Sequence, residues 1–489
     1  MPDSNEVQAR TILGHPIGLT TLFFTELWER FSYYGMRAIL ILFLTDSERG
    51  GFAMSSETAG VIYGLYTAAV YLVALPGGWI ADRLIGQRQA IFIGGIIIAS
   101  GHFSLAITGS FTFYMGLFLI IVGTGLLKPN VSAIVGGLYP EGGARRDAGF
   151  SIFYMGINLG AFLGPLICGY LGQNIDWHLG FGAAGVGMVI GLFVYKFSQH
   201  QLGDVGKAPE GDPELRANWK KLYIGLFCMG IIVVCLLGLR TVMPFTMEQF
   251  GVALGYAVIA IAILYFAFVL ILGGLNTAEK KRVVVIFFLF IGAALFWAGF
   301  EQAGSGLNLF AERLTDTTIG SFEAPASWLQ SINPLFIILL APLFGWLWLL
   351  LAEREPSIPV KFAYGLVLLG VGFLVIAWGA TFTNEGGPGV SPAWLIVTYF
   401  FHTVGELCLS PVGLSGITKL SPRKYVGQMM GIWFMGAALG NLFAGLIGGK
   451  FESLPLPELF FWVAVVVILA GLLFAAFSKP IKSLIGERV

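Results

Sequence analysis

Seven ionisable residues stand where few are tolerated. Glu26, Glu29, Arg30, Arg37, Lys128, Glu301 and Glu406 each lie inside an apolar stretch of membrane-spanning length. An ionised side chain at bilayer depth costs roughly 2.5–3.5 kcal/mol on insertion scales, so such residues face a cavity or a partner. The first stretch reads Glu26-Leu27-Trp28-Glu29-Arg30-Phe31-Ser32-Tyr33-Tyr34-Gly35-Met36-Arg37. At about 100° per residue, Glu26, Arg30, Tyr33 and Arg37 share one helix face, with Glu29 and Tyr34 beside it. At about 1.5 Å per residue, Glu26 and Arg37 stand about 16 Å apart along the axis. Three bases against four acids leave one carboxylate unmatched, a candidate proton carrier that the tally does not name.

The elements that must hold these residues are membrane helices. Only 11% of the 489 residues are charged and 56% are hydrophobic, where a soluble domain carries about 25% charge. Mean hydropathy is +0.82. The charge is balanced, 28 basic against 28 acidic residues, which excludes a nucleic-acid footprint. Runs long enough to span a bilayer fall at 17–44, 56–80, 88–109, 111–138, 148–173 and 179–199, then 219–240 and 252–275, then 281–303, 326–352, 360–382, 391–418, 425–448 and 456–478. The spacing therefore predicts an all-α membrane protein of 14 spans: a six-helix bundle over 1–200, a linker with an inserted helix pair over 201–280, and a second six-helix bundle over 281–489. Of the 28 Lys and Arg residues, 21 fall on one set of loops and four on the other (Arg49, Arg240, Arg313, Lys450), with three inside spans. The positive-inside rule then puts both termini in the cytoplasm of a cell inner-membrane protein. The polar stretch from Met1 to His15 lacks the apolar core of a signal peptide, so the first span is expected to stay in the mature chain.

Other signals exclude chemistry rather than suggest it. Cys168, Cys228, Cys235 and Cys408 sit in apolar runs without metal-ligand spacing and are expected to be packing residues. No cofactor or metal is expected, and no nucleophile–base, H-E-x-x-H or phosphate-loop pattern marks an enzyme or an ATP-driven pump. His102 and His402 lie in spans and are expected to pack rather than relay protons. With the inserted pair set aside, all seven buried charges fall on the first and fourth spans of each half. Lys128 is followed by Pro129 and Glu406 by Pro411, so each charge sits beside a helix bend.

The loop from Gly78 to Arg88, with Asp82, Arg83 and Gly86, resembles the G-x-x-x-D-R-x-x-G-x-R loop of the major facilitator superfamily. That resemblance implies two bundles whose first and fourth helices line a central cavity. Two ion pairs, Arg37 with Glu301 and Lys128 with Glu406, are then expected to gate its opposite ends as the bundles rock. Glu26-x-x-Glu29-Arg30-Phe31-x-Tyr33-Tyr34-Gly35 and Phe153-Tyr154-x-x-Ile157-Asn158-x-Gly160 resemble two signatures of the proton-dependent oligopeptide transporters, bacterial branch. The likeness runs from about Gly14 to Ser478 and takes in Lys128-Pro129-Asn130, Phe296-Trp297, Asn333-Pro334 and Trp433. It implies a proton-coupled symporter that imports di- and tripeptides by alternating access, needs no cofactor beyond the proton, and functions as a monomer in the bilayer. Glu26, Glu29, Arg30 and Glu301 would carry the proton coupling. Arg37 and Lys128 would hold the peptide carboxylate; Glu406, with Asn158 and Asn333, the amino end; Tyr34, Tyr71, Trp297 and Trp433 the side chains. The chain departs from mammalian relatives in lacking a histidine in the second span and a large outer domain. Three readings compete with this one: a major facilitator transporter of another small anionic or zwitterionic solute such as nitrate, a membrane-embedded enzyme, and a channel.

Overall fold

The computed structural model describes residues 11–208, 214–242, 244–351, 354–383 and 387–485. The ends of the chain, 1–10 and 486–489, lie outside the described residues, and with them Arg10, Arg488 and the expectation that both termini are cytoplasmic.

Fourteen long helices carry the described residues. The first six are α1 (Gly18–Thr45), α2 (Ser56–Ile80), α3 (Gln87–Leu105), α4 (Ser110–Gly137), α5 (Gly143–Gly169) and α6 (Trp177–Ser198). Then come α7 (Leu215–Val242) and α8 (Met247–Leu272), and finally α9 (Thr277–Phe300), α10 (Ile332–Leu351), α11 (Ile358–Ala380), α12 (Ala393–Leu420), α13 (Val426–Gly448) and α14 (Leu456–Ala476). Twelve are long and apolar enough to cross a membrane. α1 is the most polar exception, with four ionisable residues in 12 positions. A helix satisfies its own backbone, which is why apolar solvent selects it. The ends follow local rules. Asn276 and Glu279 form a capping box at the start of α9, each side chain accepting the other's backbone N–H at 2.9 and 3.0 Å. Pro359 sits in the first turn of α11, where no N–H is missed.

The expected spans are all present, with shifted edges. α5 begins at Gly143 rather than 148 and passes into a π-helical turn, Tyr170–Ile175. The segment after α9 holds three features that hydropathy does not show: a 3₁₀ turn Glu301–Gly304, a short helix Gly306–Leu314, and a hairpin pairing Thr318–Ile319 with Phe322–Glu323. α4 runs unbroken through Pro129. The Pro411 side chain lies outside the described residues.

The chain forms two compact units that cut across the expected division at 200 and 280. The first comprises Met1–Tyr33, Leu72–Gly160 and Phe181–Phe250, the second Tyr34–Tyr71, Ala161–Gly180 and Gly251–Val489. The first is built on a core that includes Leu22, Ile98, Val131, Phe153, Met188 and Tyr195. In the second, α11 packs on α12 and α14, and α9 on α13, with Phe362 stacked on Phe474 at 5.7 Å. The second unit takes in the C-terminal end of α1, the start of α2 and the end of α5 because those segments are bonded to the region after α9, as described below.

Candidate functional site

In the first unit the charges of α1 meet at Arg30. Its Nε donates to Glu29 Oε2 and forms an ion pair with Glu26 Oε1 at 3.2 Å, and its guanidinium lies 5.2 Å from the Tyr33 ring centroid. All three ionisable side chains are buried. Helix spacing makes the Glu26 contact, one turn from Arg30. Glu29, expected only to flank the stripe, is drawn in as a second partner of the same cation. Such a cluster is held by neighbours that can come close. Gly160 of α5 crosses α1 with no room for a side chain: a Cβ there would meet the Leu27 carbonyl and lie 3.0 Å from Arg30 Cβ. The second signature thus closes the α5 backbone onto the first. Asn158, two residues earlier, is buried and donates to the Tyr154 carbonyl at 2.9 Å. Lys128 is half-buried on α4, in the same unit as the α1 cluster.

In the second unit Arg37 Nη1 donates to Glu301 Oε2 at 2.7 Å, with both side chains buried. The expected Arg37–Glu301 pair is therefore formed. The Arg37 guanidinium also lies 5.1 Å from the Tyr34 ring centroid. The carbonyl of Ala38, next in sequence, accepts from Asn308 Nδ2 at 2.8 Å and Gln330 Nε2 at 3.2 Å, so the backbone beside Arg37 is clamped as well. Glu406 is buried, with no ion pair among the described residues of its own unit; Asn333 Nδ2 reaches its Oε2 at 3.4 Å while bonding Thr403 Oγ1 at 2.8 Å. Trp433 is buried against Gly413, and Phe362 meets its ring edge-on at 6.5 Å. Trp297 is half-buried, and its indole N–H has no hydrogen-bond partner among the described residues. Tyr71 is half-buried on α2, where the first segment of the second unit ends.

Spacing gave no sign of a polar latch in the same unit, at the end where α1 finishes. Arg49 bonds Glu312 Oε1 at 2.9 Å and the Gln173 carbonyl at 2.6 Å. Gln173 Nε2 donates to Glu312 Oε2 at 2.6 Å, and its Oε1 accepts from the Ser327 N–H at 3.0 Å. Glu452 accepts from the Ser56 hydroxyl at 2.7 Å and from Arg313 at 2.6 Å, and Lys450 pairs with Glu57. Behind it α2 and α13 cross glycine on glycine: a Cβ on Gly60 would sit 2.5 Å from the Gly445 carbonyl. Two acids at this end, Asp46 beside Arg49 and Glu452, lie beyond the helices that span. Burial pulls the Asp46 carboxyl up, but the Trp177 Nε1–H and the N–H groups of Gly51, Arg49 and Glu48 outweigh it and hold the group below 3.8. Burial likewise raises Glu452, but Arg313 and Ser56 outweigh it and hold the group below 4.5.

One smaller expectation needs correction. Cys168 and Cys408 are buried, but Cys228 and Cys235 are exposed on α7, where hydropathy does not separate a lipid-facing residue from a packed one. Asp82 accepts from Gln87 within its own loop at 3.1 Å. Lys128 belongs to the first unit and Glu406 to the second.

The whole chain has relatives. A profile described as the POT family matches residues 88–462. The peptide transporter YePEPT of Yersinia enterocolitica is 40% identical, over 99% of this chain and 98% of its own. A di-/tripeptide transporter of Lactococcus lactis is 37% identical over 98% of both. A crystal structure of a peptide transporter POT in complex with sulfate superposes with a TM-score of 0.91 at 40% identity, covering 99% of each chain. With the α1 charge cluster, the Asn158–Gly160 crossing and the Arg37–Glu301 pair in place, these likenesses settle the class: the chain is a multi-pass membrane protein that belongs to the POT family of transporters.

Proposed function

We propose that this protein imports di- and tripeptides together with protons, and that Glu301 is the acid whose protonation releases Arg37. The observation that carries this reading is the Arg37–Glu301 bond, 2.7 Å long and buried between α1 and the end of α9. Removing one partner of such a pair leaves a buried charge uncompensated, at about 3–5 kcal/mol. The peptide carboxylate supplies the replacement anion. Protonated Glu301 lets go of Arg37; the carboxylate takes its place; loss of the proton restores the pair and expels the carboxylate. Arg37 and Lys128 thus hold the carboxylate. Glu406, which has no ion pair among the described residues of its own unit, accepts the peptide ammonium together with Asn158 and Asn333. Tyr34, Tyr71, Trp297 and Trp433 tolerate varied side chains through apolar contact. Glu26, Glu29 and Arg30 tune the coupling, since one cation shared by two acids leaves room for a proton. The latch end faces the cell exterior and both termini the cytoplasm, in accord with the basic loops. The Lys128–Glu406 pair belongs to the opposite closure.

The test is dialanine uptake into proteoliposomes with and without an imposed inward proton gradient, with nitrate as competitor. Accumulation that follows the gradient and ignores nitrate is expected. Uptake indifferent to the gradient, or blocked by nitrate, overturns the reading.

A further inference from the structure

α7 is the least buried of the long helices. None of residues 219–236 is buried, and Tyr223, Ile224 and Phe227 are each more than half exposed. Its foot is anchored. Asn218 is buried, the helix packs on the turn Ala81–Ile85, and the preceding chain is tied down where Arg88 donates to the carbonyls of Gly203 and Val205 at 2.5 and 2.7 Å.

One face of this helix changes character along its length. Helical spacing puts Arg216 and Lys220 in one row and Trp219, Tyr223 and Phe227 in the next. The Trp219 and Tyr223 rings are stacked, centroids 6.0 Å apart, and with Arg216, Lys220, Ile224 and Phe227 they line a shallow surface pocket. From the helix start the pocket runs from two cations, through two rings with polar tips, to apolar side chains, over about 16 Å at 1.5 Å per residue. Exposed Lys221 adds positive charge beside it, its ammonium bonded to Asn218 Oδ1 at 3.1 Å, and exposed Glu214 is the acid at the helix start.

We propose that this face is a binding site for an anionic phospholipid. Arg216 and Lys220 hold the phosphate, the Trp219 and Tyr223 rings sit at the glycerol level, and an acyl chain lies along Ile224 and Phe227. The order of chemistry on the helix is the order along a phospholipid. Interfacial tryptophan and tyrosine sit at headgroup depth, and each basic residue near an anionic surface adds about 1 kcal/mol. A second copy fits less well. A two-fold axis along the membrane normal would bring Arg216 and Lys220 against their own copies at the same depth, opposing like charges.

Native mass spectrometry of the full-length protein in detergent, titrated with dioleoyl-phosphatidylglycerol or dioleoyl-phosphatidylcholine, tests this. The wild type is expected to retain phosphatidylglycerol more tightly. The Arg216→Gln, Lys220→Gln double variant should lose about thirtyfold of that affinity and leave phosphatidylcholine unchanged, while Arg216→Lys with Lys220→Arg should keep it. The two lipids retained equally by wild type overturns the proposal. So does a charge variant that holds phosphatidylglycerol as well as wild type. So does a lipid-free dimer that the charge variant abolishes.

Discussion

Arg30 and Arg37 are seven residues apart on one helix and meet different partners. Arg30 is shared by two acids of its own helix, while Arg37 is held by an acid 264 positions away. The Glu26 contact was legible, because one helical turn fixes which side chains meet, whereas Glu29, next in sequence to Arg30, only flanked that stripe. The Arg37 pairing was legible only through charge counting and family likeness, since nothing local to Arg37 points to Glu301. Two substitutions separate the ends of the substrate. Lys128→Ala should weaken uptake of free dipeptides about tenfold or more, the loss of one charge-assisted bond, and should barely affect C-terminally amidated ones. Equal losses in a competition assay would remove Lys128 from the carboxylate site. Glu406→Ala should show the converse pattern, with free peptides impaired and N-acetylated peptides unaffected.

Helices bring these residues together only where two backbones can pass closely. Gly160 makes that clear: any side chain there collides with α1 at the Arg30 cluster. Overpacking of this kind costs about 1–3 kcal/mol. Gly160→Ala should therefore lower the thermal midpoint in detergent and reduce uptake in parallel. Gly225→Ala on α7, where nothing lies within 4 Å, should change neither. Hydropathy revealed the number of helices but not their surroundings. α7 reads only as one of an inserted pair and has no buried residue over 219–236, because lipid is as apolar as a protein core and leaves no polar face to betray it. The short helix Gly306–Leu314 escaped notice for the opposite reason, being too short and too polar to stand out.

At the scale of the whole molecule, the latch joins segments no sequence pattern links: Ser56 with Glu452, Arg49 with Glu312, Glu57 with Lys450. Its acids give it a pH dependence. Glu452 has a lowered pKa in the bonded state, so it favours closure fully above its ordinary 4.5, and that contribution is lost as pH falls through the lower bonded value. Spin labels at positions 55 and 453, with Cys228 and Cys235 replaced, should show the short distance giving way to longer ones as pH drops below about 4.5. Glu452→Gln should flatten that change; an unaltered profile in the variant would remove Glu452 from the latch. The central claim is that the proton on Glu301 controls Arg37, and proteoliposomes carrying Glu301→Gln test it most directly. The account predicts that this variant still exchanges labelled dialanine across the membrane in counterflow but fails to accumulate it under an inward proton gradient. Gradient-driven accumulation at the wild-type level in Glu301→Gln would contradict it.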